Sequence, residues 1–284
     1  MNAACWRGRT GLGIALLAFM VFGGIGIAVA AKSKITAKQG KIIAERGQES
    51  RQRATKLART VVRRKYVRTA AFAARPPYGR IAGRSTKRLA GFPRSGKSFL
   101  ILSTGNVLLA DNKNFSGSSG QRAGGPPIRG ARDVTIFRFN MRVPRGRNCV
   151  SFRFRFLTEE FPEFINEEFN DAFIAEMDET TWGAASLGDP TITAPRNFAF
   201  DSKGNPITVN GAGDATVTAK NARGTTYDGA TRILRASTKV SAGKHRLYLS
   251  IFDQGDRQFD SAVFVDRLTF SRNPKCKPGA ARDK

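Results

Sequence analysis

The chain has 284 residues, enough for one large or two modest domains, and its 29 Gly and 21 Phe suit a β-rich body rather than a bundle of helices. A formal charge of +26 invites a nucleic-acid reading, but the charge is unevenly placed. Residues 32–97 carry 20 Lys and Arg against Glu45 and Glu49, whereas residues 98–284 carry 26 basic and 20 acidic side chains.

Taken in order, the chain opens with Arg7 and Arg9, followed by an uncharged run from Thr10 to Ala31 that ends in Ala28-Val29-Ala30-Ala31. That spacing of small residues suits a signal peptidase, and the run is also about long enough to span a ~30 Å hydrocarbon core. Residues 1–31 are therefore expected to be a signal peptide or a signal anchor. Lys32, Lys34, Lys38 and Lys41 just beyond the run oppose the anchor orientation and favour cleavage.

Residues 32–97 read as a basic stalk and linker. Ile42, Ile43, Leu57, Val61 and Val62 are too sparse for a sustained apolar face, so 32–72 is expected to be a solvated helix or disordered. Pro76-Pro77 and the glycines up to Lys97 then mark a linker. Its expected partners are anionic polymers or lipids, met nonspecifically and with salt sensitivity. No reader module accompanies the charge, so a sequence-specific nucleic-acid partner is not expected, and the membrane is expected to be met only through the N-terminal segment. Gly91-Phe-Pro-Arg-Ser-Gly-Lys-Ser98 formally matches a phosphate loop. The context rejects it, because a basic linker precedes it and the strand-like Phe99-Leu-Ile-Leu follows it.

From Ser98 on, short alternating runs separated by turns take over. Strands are predicted at Ser98–Ala110, Val134–Val143, Val150–Leu157, Ala172–Met177, Ile233–Val240, His245–Phe252 and Ser261–Phe270, with several short ones in 196–218. In Val150–Leu157 the pattern is explicit: Phe152, Phe154 and Phe156 face one way, Arg153 and Arg155 the other, towards water. The fold class is therefore all-β, an antiparallel two-sheet sandwich of jelly-roll-like character over 98–273, with 274–284 as a basic tail.

Cys149 opens one predicted strand and Cys276 follows the last, so a disulfide between them fits an oxidising compartment; two unrelated thiols are the alternative. His245, the single His, leaves no room for a His-based metal site, or for a Ser-His-Asp triad unless it serves that role itself.

Two acid-rich segments end strands. One holds Glu159, Glu160, Asn170 and Asp171, the other Asp253, Asp256 and Asp260. Carboxylates crowded at one rim repel unless a proton or cation neutralises them, and Ca²⁺ accepts such a mixture of oxygens. Calcium is accordingly the expected cofactor, with turn-capping and pairing to nearby Arg as the plain alternative. Trp182 and Tyr227 are candidate glycan-stacking side chains, or else lids on the core. A glycan hydrolase using Glu160 and Asp256 is a further alternative, as is a polyanion binder acting through the stalk.

The segments Ile101-Leu-Ser-Thr-Gly-Asn-Val, Thr158-Glu-Glu-Phe-Pro-Glu-Phe, Phe169-Asn-Asp-Ala-Phe, Tyr227-Asp-Gly-Ala-Thr and Asp253-Gln-Gly-Asp-Arg-Gln-Phe-Asp-Ser-Ala-Val-Phe264 occur in series. Together they resemble the choice-of-anchor L domain over roughly residues 98–271. The resemblance implies a bacterial exported β-sandwich found in surface and adhesin-like proteins. Two departures stand out: Phe161 where members often have Tyr, and the looser Asn197-Phe198-Ala199. With no C-terminal sorting signal in view, any anchor is expected to be N-terminal or electrostatic. The expected function is non-catalytic recognition or adhesion, towards glycans or envelope components.

Overall fold

A computed structural model describes residues 40–44, 51–114, 122–185 and 188–283. In chain order its elements are β1 (Ile42–Ala44), α1 (Arg51–Val61), β2 (Val67–Ala74), β3 (Ala82–Ser85), β4 (Phe99–Ser103), β5 (Arg132–Val143), β6 (Cys149–Thr158) and β7 (Ala172–Met177). Next come β8 (Gly183–Ala184), β9 (Ile192–Thr193), β10 (Ile207–Thr208), α2 (Ala219–Ala222), β11 (Gly229–Ala230), β12 (Leu234–Lys239), β13 (Gly243–Asp253), β14 (Ser261–Ser271) and β15 (Gly279–Arg282).

Apart from the two-stranded β8–β9 ribbon, the strands form a two-sheet antiparallel sandwich. The larger sheet runs β1-β3-β4-β14-β6-β12-β15, with β11 also on β6, and the smaller runs β10-β7-β13-β5-β2. Alternation builds the layer between them. Phe152, Phe154 and Phe156 of β6, Val263 and Val265 of β14, Phe137 and Phe139 of β5, and Leu247, Leu249 and Ile251 of β13 join one buried cluster. The opposite faces are covered too, over part of their length. Phe264 and Leu157 pack under Leu89, Phe92 and Tyr227 outside the larger sheet, while Ile174, Tyr248 and Phe252 pack under Trp182 outside the smaller one. Strands covered on both faces read as near-continuous apolar runs, and β4 and β13 do so.

The expected stalk is corrected by this architecture. Residues 51–97 are structural: α1 buries Leu57, Ala58 and Val61, β2 pairs with β5, and β3 pairs with β4. The Thr55 hydroxyl accepts the Ala70 N–H at 3.0 Å, tying α1 to β2. The physical reason is size. Ala54, Ala58 and Ala70 are core residues whose small side chains leave no conspicuous apolar stripe. The expected tail is corrected as well, since β15 pairs with β12 and completes one edge of the larger sheet. Cys149 and Cys276 form a disulfide with Cα atoms 5.8 Å apart, fixing the approach to that last strand.

Arg155 departs from the expected wet face. It is buried under the loops outside the larger sheet and donates to the carbonyls of Ala90 and Asn221 at 2.8 Å each. Burial and the nearby Arg94 charge lower its pKa to about 10. No described helix is long and apolar enough to cross a membrane. Residues 1–31, where the signal segment is expected, lie outside the described residues.

Candidate functional site

β6 and β14 are paired so that Thr158 lies opposite Ser261, and β13 and β7 so that Phe252 lies opposite Ala172. All four strand ends meet at one end of the sandwich, and each delivers acids there: Glu159 and Glu160 after β6, Asp171 before β7, Asp253 at the end of β13, Asp260 before β14. Contacts stitch the two sheets together at this junction. The Ser261 hydroxyl donates to Asp171 Oδ2 at 2.6 Å, and the Gln254 N–H to Asp171 Oδ1 at 3.1 Å. The Asp171 N–H donates to Glu160 Oε2 at 3.2 Å, and the Asp260 N–H to Glu159 Oε2 at 3.1 Å. A Cβ at Gly105 would overlap the Asp260 carboxylate, so only glycine lets that strand end close against it.

The junction is sealed. Asp171 and Asp253 are 0 % exposed and Glu160 is 1 % exposed. Burial, then the charge of Asp171, pushes Glu160 well above the usual carboxylate range. Burial raises Asp171 to about 7 against the donors that stabilise its charged form. Asp253 is also raised well above its ordinary value, first by burial and then by Asp171 and Asp260. Neither carboxylate oxygen of Asp253 meets a donor at hydrogen-bonding geometry.

Two of the seven expected ligands stand apart. Asn170 spends its side chain on loops, donating to the Pro190 carbonyl at 3.0 Å and accepting from Asn210 Nδ2 at 3.2 Å. Asp256 is half-buried and accepts its own turn's Gln258 N–H at 3.1 Å, although its charge is felt by Glu160 and Asp171. Among the described residues no three His, Cys, Asp or Glu side chains group around a point where they could hold a metal ion. Sequence reading missed Asp133. Its carboxylate accepts the Ala123 and Gly124 N–H groups at 2.9 Å, and its charge reaches Asp253. An acid placed directly before the apolar run that opens at Val134 was the available signal.

The expected glycan-stacking pair is corrected. Trp182 is 1 % exposed, stacks on Phe252 with centroids 4.1 Å apart, and donates from Nε1 to Ser250 Oγ at 3.0 Å. Its outer neighbour is Arg129, 5.4 Å from the ring. Tyr227 is 3 % exposed within the cluster outside the larger sheet. Burial, then the charges of Glu159 and Asp260, holds its phenol well above its ordinary pKa. Neither ring offers a face to a sugar. The loop with the phosphate-loop pattern turns the Arg94 and Ser95 N–H groups onto Asp266 Oδ2, at 2.6 and 2.7 Å, so a protein carboxylate occupies those donors. His245 sits between Asp178 Oδ2 at 2.9 Å and Ser241 Oγ at 3.1 Å, on the surface near the β12–β13 turn.

The fold and the junction define a disulfide-closed β-sandwich domain whose acid cluster lies inside it. The chain belongs to the Choice-of-anchor L domain family, whose model matches residues 80–271. Among solved structures it is similar to TmCBM61, determined in complex with beta-1,4-galactotriose, at 8% identity and a TM-score of 0.29, covering 81% of this chain and 100% of that one. A likeness of that size does not extend to a ligand. Comparison with curated proteins finds no match.

Proposed function

We propose that this chain is an exported, envelope-associated module that recognises an extracellular ligand without transforming it. The observation that carries the reading is the sealed junction. A general acid must reach the proton acceptor it serves, and Glu160, at 1 % exposed and bonded to the Asp171 amide, reaches only protein. The acids then serve cohesion, locking the two sheets where four strands end. Family membership and the Cys149–Cys276 disulfide support a location outside the cytoplasm. Binding of the full chain to an array of envelope glycans, with the same glycans assayed for cleavage, tests it. Retention without product is expected; products that vanish in Glu160→Gln would overturn it.

Calcium belongs to the same proposal as the neutralising partner of the junction. Asp253, fully buried and pushed up by burial and by the charges of Asp171 and Asp260, is the ligand that supports it. Asp171 and Asp253 would have to close on the ion, because the acids do not stand around a common point. A melting midpoint that rises by several degrees in millimolar Ca²⁺ relative to chelator is expected, and an unchanged midpoint removes the ion.

A second reading rests on the Ser241, His245 and Asp178 contacts, which have the order of a nucleophilic relay. Asp178 is 48% exposed there, so little keeps water away. Labelling by a fluorophosphonate probe that is lost in Ser241→Ala would establish that reading, and an unlabelled chain removes it.

A further inference from the structure

The outward face of the larger sheet is apolar and covered near the acid junction, but beyond Arg155 it becomes basic. A depression of about 420 Å³ opens there over β6, β12, β14 and β15. Its walls carry Arg153, Arg235, Arg267 and Arg282, with the Ser151 and Thr269 hydroxyls between them and Asp283 as the acid. Arg153 is held by Asp283, Nε to Oδ1 at 2.6 Å. Arg235 donates to Ser151 Oγ at 3.1 Å, and no described carboxylate forms an ion pair with Arg235, Arg267 or Arg282.

Two features of this surface are costly to folding. Arg235 lies directly opposite Arg153 across the β12–β6 pair, where like charges oppose pairing. Arg267 holds a positive φ of 55° at an irregularity in β14, between Asp266 and Thr269, where the ladder to β6 loses register. A non-glycine residue in that region is strained, and bulges of this kind re-aim a side chain. Here the side chain is a guanidinium delivered to the wall of the depression. Glycine would fit the backbone better and remove the cation.

A second depression of about 440 Å³ shares Arg235 and Arg282 with the first and adds Lys275 and Lys277. Those two lysines flank Cys276, so the disulfide fixes them beside the sheet. The two hollows make a continuous basic track longer than a single anion. We propose that this track binds an acidic polysaccharide, a chain bearing repeated carboxylate or sulfate groups, through guanidinium forks and hydroxyls. The proposal rests on the recognition reading above and gives that reading its ligand class. The track is concave, and the rings that line it, Phe152 and Phe200, are buried and half-buried. Tyr78, the one large apolar side chain exposed among the described residues, lies outside it, so base stacking and lipid insertion find no foothold.

The test uses the full chain in affinity electrophoresis through gels containing polygalacturonate, heparin or neutral dextran, at several salt concentrations. Retardation by the two acidic polymers and not by dextran is expected. Arg235→Gln with Arg267→Gly, both at exposed positions and the second compatible with the backbone, should weaken acidic binding about tenfold or more and flatten its salt dependence. A melting midpoint at or above that of the wild type confirms an intact fold, and Arg63→Gln with Arg64→Gln, outside the track, should retain binding. Equal retardation of wild type and track variant overturns the proposal, as does stronger capture by single-stranded DNA or anionic vesicles than by either polysaccharide. Binding to neutral glycans that the track variant keeps would leave the recognition role standing and the track without its ligand.

Discussion

Asp253 shows how much a single side chain can reveal about the interior it occupies. It has lost its water, Thr104 offsets only part of that cost, and Asp171 lies beside it. A carboxyl with a native pKa above its unfolded value binds more protons folded than unfolded. Its stabilising effect is full below the unfolded value and is lost as pH rises to the native one. For Asp171 that window runs from 3.8 to about 7, and the upward shifts of Glu160 and Asp253 extend it. Without added cation, the urea midpoint is therefore expected to fall between pH 5 and pH 8. Asp253→Asn, which cannot ionise, should flatten that slope and raise the midpoint at pH 8, and in the calcium reading it should also abolish the response to the ion. A midpoint rising with pH would contradict the protonated junction. Trp182 makes a separate case. Trp182→Phe keeps a ring against Phe252 but strands the buried Ser250 hydroxyl, at a cost of about 1–3 kcal/mol in urea unfolding. Glycan binding should not change; a variant of full stability and lost binding would return Trp182 to the ligand.

At the scale of elements, the β strands with strong alternation were legible in the sequence. Phe152, Phe154 and Phe156 point inward as read, and the acids at strand ends do converge, because antiparallel neighbours bring their termini together. The elements that escaped reading are poor in large side chains. Val67–Ala74 buries Val67 and Ala70 while exposing Arg68, and α1 buries alanines, so neither announces a face. The burial of Trp182 and Tyr227 escaped for another reason: strand periodicity does not reveal whether a loop will fold back over the outside of a sheet. The same elements predict where the domain can be cut. A fragment of residues 98–284 lacks α1, β2 and β3, exposing the edges of β5 and β4, and is expected to aggregate or melt without cooperativity. A fragment of 38–284 should melt as one unit. Two cooperative fragments of similar midpoint would show that the early elements are dispensable.

For the molecule as a whole, the described part of the charge that first looked like a stalk, from Arg51 to Lys97, lies on the outside of a sandwich whose interior collects acids. The disulfide spans 127 residues of sequence, and closing so long a loop restricts the unfolded chain by on the order of 4–5 kcal/mol in the chain-entropy description. Cys149→Ser with Cys276→Ser should lower urea stability by up to that amount and loosen β15, read as faster amide exchange at Ala280 and Ala281. Unaltered exchange there would show that β15 holds its place by pairing alone. The larger sheet also has its first described strand at one border and its last at the other, β1 and β15, with strands from throughout the chain between them. Such a sheet cannot be assembled from one terminus towards the other. Until Gly279–Arg282 arrives, β12 keeps an open flank, so the strands made before it need shelter from neighbouring chains while they wait.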